Sequence, residues 1–233
     1  MTAVYVVTGT GTGVGKTIVT AALAAVARDQ GARVAVVKPA QTGLAVGEEP
    51  DLEVVRRLSG VTDLHELARY PDPLSPEAAA RTSGLPPLDL GEAAAYIKGL
   101  RPGRDLVLVE GAGGLLVRYN PAGGTIADLA RMLDAAVFVV TTAGLGTLNH
   151  TALTLEALAA RGLPLAGLVI GSWPADPGLA ELSNLTDLPG LYGRMPAGAG
   201  RLSRHSFLAA AQLATIKVNH LNNHNFSPDD TRP

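Results

Sequence analysis

The chain has 233 residues, 47% of them hydrophobic and 17% charged, which is enough for one globular α/β unit with a sizeable core. Its formal net charge of −2 speaks against a general binder of nucleic acid or anionic membranes, so any functional positive charge has to be local. With no cysteine there are no disulfides or thiolate metal sites, and with only short apolar runs a soluble, cytoplasmic protein is expected.

The β-branched run Ala3-Val4-Tyr5-Val6-Val7 reads as a first buried strand. It leads into GTGTGVGKT, from Gly9 to Thr17, and then into an Ala/Leu/Val-rich helix from Thr17 to Gln30 that Gly31 should end. Strand, glycine loop and helix in that order form a phosphate loop. Backbone N–H groups and the helix N-terminus converge on an anion, while Lys16 adds a charge and Thr17 a hydroxyl. The expected occupant is a nucleoside triphosphate with Mg²⁺. The loop is one residue longer than the usual spacing counted from Gly9, because Thr10 stands five positions before Gly15.

Arg33 to Lys38 reads as a second strand, stopped by Pro39. Parallel to the first, it delivers Lys38 and Gln41-Thr42-Gly43 to the edge where the phosphates lie. Helices are expected from Asp51 to Leu58, after the Ser75-Pro76 start signal, and from Asp89 to Leu100, together covering one sheet face. Asp105 to Glu110 is a third strand ending in an acid. That is where a Mg²⁺ ligand or water-orienting group would sit, and Gly111-Ala112-Gly113-Gly114 follows at once.

A helix over Thr125 to Leu133 and a strand over Ala135 to Thr141 come next. Gly144 to His150 reads as a glycine loop opening a helix from Thr151 to Arg161, and Leu165 to Ile170 as a strand ending at Gly171-Ser172-Trp173-Pro174. Leu191 to Met195 is a short strand before Pro196-Ala197-Gly198, Ser203 to Ile216 a last helix, and residues 218–233 a flexible tail beyond a domain spanning 1–217. The whole predicts a three-layer, P-loop NTPase-like α/β domain with a mostly parallel sheet of six or seven strands flanked by helices.

GTGTGVGKT, KPAQTG, VEGAGGLL and GLGTLNHTALTLEAL occur in this order, and in combination they resemble the dethiobiotin synthetases from Val4 to about Phe207. The resemblance implies an ATP- and Mg²⁺-dependent ligase that converts 7,8-diaminononanoate and CO₂ to dethiobiotin, through a carbamate and a carbamic-phosphoric anhydride. It implies Lys38, Lys16 and Thr12 as catalytic residues, and Thr17, Asp51 and Glu110 as Mg²⁺ ligands. Nucleotide contacts would come from Gly13, Val14, Gly15, Lys16, Thr17, Ile18, Asp51, Glu110, Gly111, Ala112 and Gly113. Thr42 and Lys38 would meet the diamine, and Gly144, Leu145, Gly146, Thr147, Leu148 and Asn149 its carboxylate tail across a homodimer interface.

Many members have an Asn after the sixth strand to read adenine. This chain has Gly171-Ser172-Trp173-Pro174 there, which leaves base recognition to Gly171, Ser172, Pro196, Ala197 and Gly198 and leaves the preferred base open. The alternative is a regulatory ATPase of the partition or septum-placement type. Its loops resemble KGGVGKT, with a lysine where this chain has Gly11, and lack KPAQTG.

Overall fold

The computed structural model describes residues 2–45 and 47–214. In chain order the elements are β1 (Ala3–Gly9), α1 (Lys16–Asp29), β2 (Val34–Lys38), β3 (Gln41–Thr42), α2 (Asp51–Ser59), β4 (Asp63–Glu66), β5 (Arg69–Tyr70), α3 (Pro76–Ser83) and α4 (Leu90–Leu100). There follow β6 (Leu106–Glu110), α5 (Ile126–Leu133), β7 (Ala136–Thr141), α6 (Thr147–Ala159), β8 (Leu165–Trp173), α7 (Leu179–Asp187), β9 (Leu191–Pro196) and α8 (Arg204–Leu213).

Seven strands form one sheet in the order β4-β2-β6-β1-β7-β8-β9, with every pair parallel. A parallel sheet covered on both faces needs strands that are apolar throughout, because neither side meets water. Val6 and Val7, Val36 and Val37, and Val139 and Val140 accordingly have no exposure. Their alternation splits the core into two layers. Val7, Val36 and Val140 pack against α1, α2 and α8, and Val6, Val37 and Val139 against α4 and α5.

The expected α/β architecture is therefore present, with several corrections. The helix at Asp51–Ser59 lies on the face opposite α3 and α4, because Leu52, Val55 and Leu58 join the cluster of α1 and α8. The helix after β7 begins at Thr147, not Thr151, so Thr147, Leu148 and Asn149 form its first turn rather than a loop. Gly146 makes that early start possible by taking the left-handed conformation, φ 88°, at its N-cap. Strand β8 continues past Ile170 to Trp173, where it pairs with Pro196 after a shift of register. The two-stranded β3–β5 pair and α7 were not expected, both being too short or too weakly periodic to stand out. Residues 215–233 lie outside the described residues, and with them the end of the last expected helix and the tail.

One close approach ties β8 to the phosphate loop. Gly171 of β8 lies against the phosphate loop so tightly that a Cβ there would stand 2.0 Å from Val14 O, and one on Gly15 would stand 2.8 Å from Gly171 O. The substitution Gly171→Ala should destabilise the fold by about 1–3 kcal/mol, the usual cost of overpacking, as measured by urea unfolding. The neighbouring Ser172→Ala, at an exposed position, should be close to neutral in the same assay.

Candidate active site

The carboxyl ends of β2, β6, β1 and β7 lie side by side at one edge of the sheet. The phosphate loop leaves β1 with Thr10 N–H bonded to Val140 O (2.9 Å), so the adjacent strand holds its first turn. At its far end Gly15 is in the left-handed conformation (φ 96°) as the N-cap of α1, and no side chain caps that helix. This leaves the first-turn N–H groups for an anion. Thr12 and Gly13 are exposed at the crest of the loop, whereas Val14 is buried beneath it, so Val14 has only its backbone to offer a ligand.

Lys16 is buried, and its Nζ donates to Gly11 O at 2.8 Å. Burial, with the charge of Lys38, pulls its pKa down to about 8 against the opposing pull of Glu110 and Asp51. Beside it, β2 and β6 bring Lys38 and Glu110 together. Lys38 Nζ lies 2.8 Å from Glu110 Oε1 and 2.5 Å from Asp51 Oδ2. Burial alone would lower the Lys38 pKa, but the two carboxylates more than offset it and raise it, so the side chain stays an ammonium ion. Burial likewise pushes Asp51 up, and the charge and hydrogen bond of Lys38 outweigh that and hold it down.

The donor count in this cluster is short. Thr17 Oγ1 lies 3.1 Å from Asp51 Oδ1 and 2.9 Å from Glu110 Oε1, yet a hydroxyl has one proton and can satisfy only one of them at a time. Glu110 is fully buried, and its Oε2 has no partner. An orphaned carboxylate oxygen beside a second carboxylate and a hydroxyl is an all-oxygen set suited to Mg²⁺. That ion commonly takes one or two carboxylates and completes its shell with water and phosphate. Among the described residues no group of three or more His, Cys, Asp or Glu is placed to hold a metal.

Around this core the structure adds supporting bonds that no local sequence pattern marked. Gln41 Oε1 accepts from Asp51 N–H (3.3 Å), which sets the start of α2. Tyr119, fully buried, accepts from Ala112 N–H through its hydroxyl at 2.6 Å and so fixes the turn after Glu110; burial pushes its pKa up to about 12. Asn184 of α7 donates to the carbonyls of Ala143 and Gly144 (2.8 and 3.1 Å), which holds the approach to α6. Thr42 is half-buried on β3, Ile18 is half-buried on α1, and Leu145, Leu148 and Asn149 are exposed.

The ends of β8 and β9 bring Gly171 and Ser172 near Pro196, Ala197 and Gly198, and Ala197 N–H bonds to Trp173 O at 2.7 Å. Beside them is a cavity of about 560 Å³ lined by residues including Trp173, Tyr192, Arg194 and Leu213, with the Arg194 guanidinium 4.6 Å from the centre of the Trp173 ring.

The sheet order, the loop from Gly9 to Thr17 and the Lys38, Asp51 and Glu110 cluster define a P-loop nucleotide-binding α/β protein. Comparisons agree with that class. A family model described as an AAA domain matches residues 3–200. The septum site-determining protein MinD of Pyrococcus horikoshii, solved with Mg-ADP, superposes with a TM-score of 0.58 over 93% of each chain at 18% identity, a likeness of fold alone. Cell division ATPase MinD of Pyrococcus furiosus gives a TM-score of 0.56 at 20% identity, over 95% of this chain and 98% of its own.

Sequence relatives are far nearer. The chain is 64% identical to the ATP-dependent dethiobiotin synthetase BioD of Frankia casuarinae, over 90% of each chain. It is 61% identical to that of Rhodococcus jostii, over 89% of this chain and 92% of the relative. The chain belongs to the dethiobiotin synthetase family, whose members are ATP-dependent ligases. No helix of the described residues is long and apolar enough to cross a membrane.

The lowered pKa of Lys16 has a measurable consequence. Below about pH 8 the side chain is charged in the folded protein; between that value and the ordinary lysine value of 10.5 it is neutral when folded and charged when unfolded. Its burial therefore costs stability fully below pH 8, and stability is regained as pH rises through that window. Triphosphate favours the charged form, so ATP affinity should fall as pH rises above 8 and binding should take up a proton. Calorimetry at pH 8.5 in two buffers of different ionisation enthalpy should show uptake of about half to one proton per ATP, and Lys16→Met should abolish it.

Proposed function

We propose that the protein carboxylates 7,8-diaminononanoate with CO₂ and closes the cyclic urea of dethiobiotin at the expense of ATP. The observation that carries this reading is the buried Lys38, an ammonium ion held by Glu110 and Asp51 at the strand tips next to Lys16 and the phosphate loop. Two cations at neighbouring positions suit a reaction in which a carbamate and a triphosphate, both anions, must be brought together.

One amine of the substrate adds to CO₂ and loses a proton to give the carbamate. A carbamate oxygen then attacks the γ-phosphorus and ADP leaves, which forms the carbamic-phosphoric anhydride. The second amine attacks the carbamate carbon, phosphate departs with the C–O bond, and a proton is released as the ring closes. Lys16 steadies the phosphates, Lys38 the carbamate and its phosphorylated form, and Thr12 lines the passage between them. Thr42 offers a hydroxyl to the diamine. The backbone of residues 13–18 and 111–113 cradles the phosphates, and the segments at Gly171-Ser172 and Pro196 to Gly198 receive the base.

Thr17, Asp51 and Glu110 would hold Mg²⁺, which would neutralise negative charge on the transferring phosphoryl group.

The carboxylate tail of the diamine would reach Gly144 to Asn149, with the first turn of α6 as its anion-binding end. Leu145 is 89% exposed and Leu179 87%, and Leu148, Leu153 and Leu182 also stand open on α6 and α7. A face this apolar favours burial against a second copy of the chain, which would put the tail site at a homodimer interface. Such an enzyme would work in the cytoplasm, where ATP is available.

The alternative regulatory reading draws no support from the septum-placement ATPases, which share the fold at 18% and 20% identity and nothing closer. Purified protein should release phosphate from ATP only when both diaminononanoate and bicarbonate are present; robust hydrolysis without the diamine, in a phosphate-release assay, would sink the proposal. Lys38→Met should keep ATP affinity within a few-fold and lower kcat by about 10²–10³, the loss typical of one preorganised charge donor. Steady-state kinetics with a parallel binding isotherm would separate the two effects.

A further inference from the structure

Three buried threonine hydroxyls meet behind the first turn of α6. Thr141 Oγ1, at the end of β7, lies 2.8 Å from both Thr147 Oγ1 and Thr151 Oγ1, and 3.4 Å from Thr10 Oγ1 in the phosphate loop. Thr147 Oγ1 also donates to Thr142 O at 2.7 Å. That bond fixes the direction of the others. A hydroxyl has one proton, so Thr147, whose proton lies on a carbonyl, must accept from Thr141. Thr141 in turn accepts from Thr151 and, over the longer distance, from Thr10. Thr141 and Thr151 have no exposure and Thr147 1%.

The cluster matters because α6 lacks the usual device for setting its start. Its N-cap is Gly146, in the left-handed conformation, with no side-chain cap. Asn184 holds the carbonyls just before the turn, and the hydroxyls hold the turn itself through Thr147. The phosphate loop is less dependent on Thr141, since Thr10 N–H is already bonded to Val140 O.

We propose that Thr141 is a positioning residue for the carboxylate end of the substrate. Its hydroxyl sets where the first turn of α6, and so Leu148 and Asn149, lies relative to the phosphate loop, and thereby the span over which the diamine must stretch. The inference rests on the reading that this turn receives the substrate's carboxylate.

The test compares kcat/KM for 7,8-diaminononanoate and for the same vicinal diamine with a methyl group in place of the carboxylate. It uses the wild-type protein, Thr141→Val, which keeps the shape and removes the hydroxyl, Thr141→Ser, which restores it, and Thr151→Val, with folding checked by thermal unfolding. The wild type should prefer the carboxylate-bearing diamine. Thr141→Val should cut that preference by about tenfold or more through KM for the acid, with kcat and the KM for ATP within about threefold. Thr141→Ser should retain the preference, and Thr151→Val should show an intermediate loss. A folded Thr141→Val with undiminished preference overturns the proposal while leaving the carboxylate reading intact. Should Thr141→Val fail to fold, Thr141→Ala takes its place, and a folded Thr141→Ala with undiminished preference overturns it. A wild type that does not discriminate between the two diamines removes the carboxylate reading and the proposal with it.

Discussion

The contact between Lys38 and Glu110, 2.8 Å and wholly inside the protein, is the constraint on which the rest of the site depends. Taking either charge out of water alone would be prohibitive, and the pair is tolerable only because each satisfies the other with Asp51 close by. That requirement fixes relative strand order. Only neighbouring parallel strands can present a lysine and a glutamate side by side at the same edge, and β2 and β6 are such neighbours. The phosphate loop follows from the next strand over, and the helix carrying Asp51 must fold onto the far face beside α1.

Much of this arrangement was legible in the sequence because it is carried by local chemistry. A β-branched run before glycines, a lysine at the end of one apolar run and a glutamate at the end of another are each visible in a window of ten residues. Parallel topology then sends all three to the same edge. The side of the sheet on which a helix lands has no such signature, which is why the sequence groups the helix that starts at Asp51 with α3 and α4 although it packs on the other face. Its apolar stripe states that one side is buried and not against what.

The supporting residues were illegible for a related reason. Tyr119, Gln41 and Asn184 act through one or two hydrogen bonds to backbone atoms 7 to 41 positions away, and nothing in their own neighbourhood announces the partner. The early start of α6 is hidden in the sequence because Gly144 to Gly146 gives a loop signal and Thr147 is a poor helix former. The buried hydroxyl contacts of Thr147 and the grip of Asn184 on the preceding carbonyls override that propensity, and both are tertiary.

The fit of Gly171 beneath Val14 and Gly15 joins two tasks that are often imagined as separable. The same stretch of β8 that would face the base also serves as the shelf on which the phosphate loop rests. Retuning such a protein toward a different base therefore has little freedom along the strand itself. Variation has room only from the exposed Ser172 outward and on the β9 side, whereas a change one residue earlier would shift the phosphates before it altered the base.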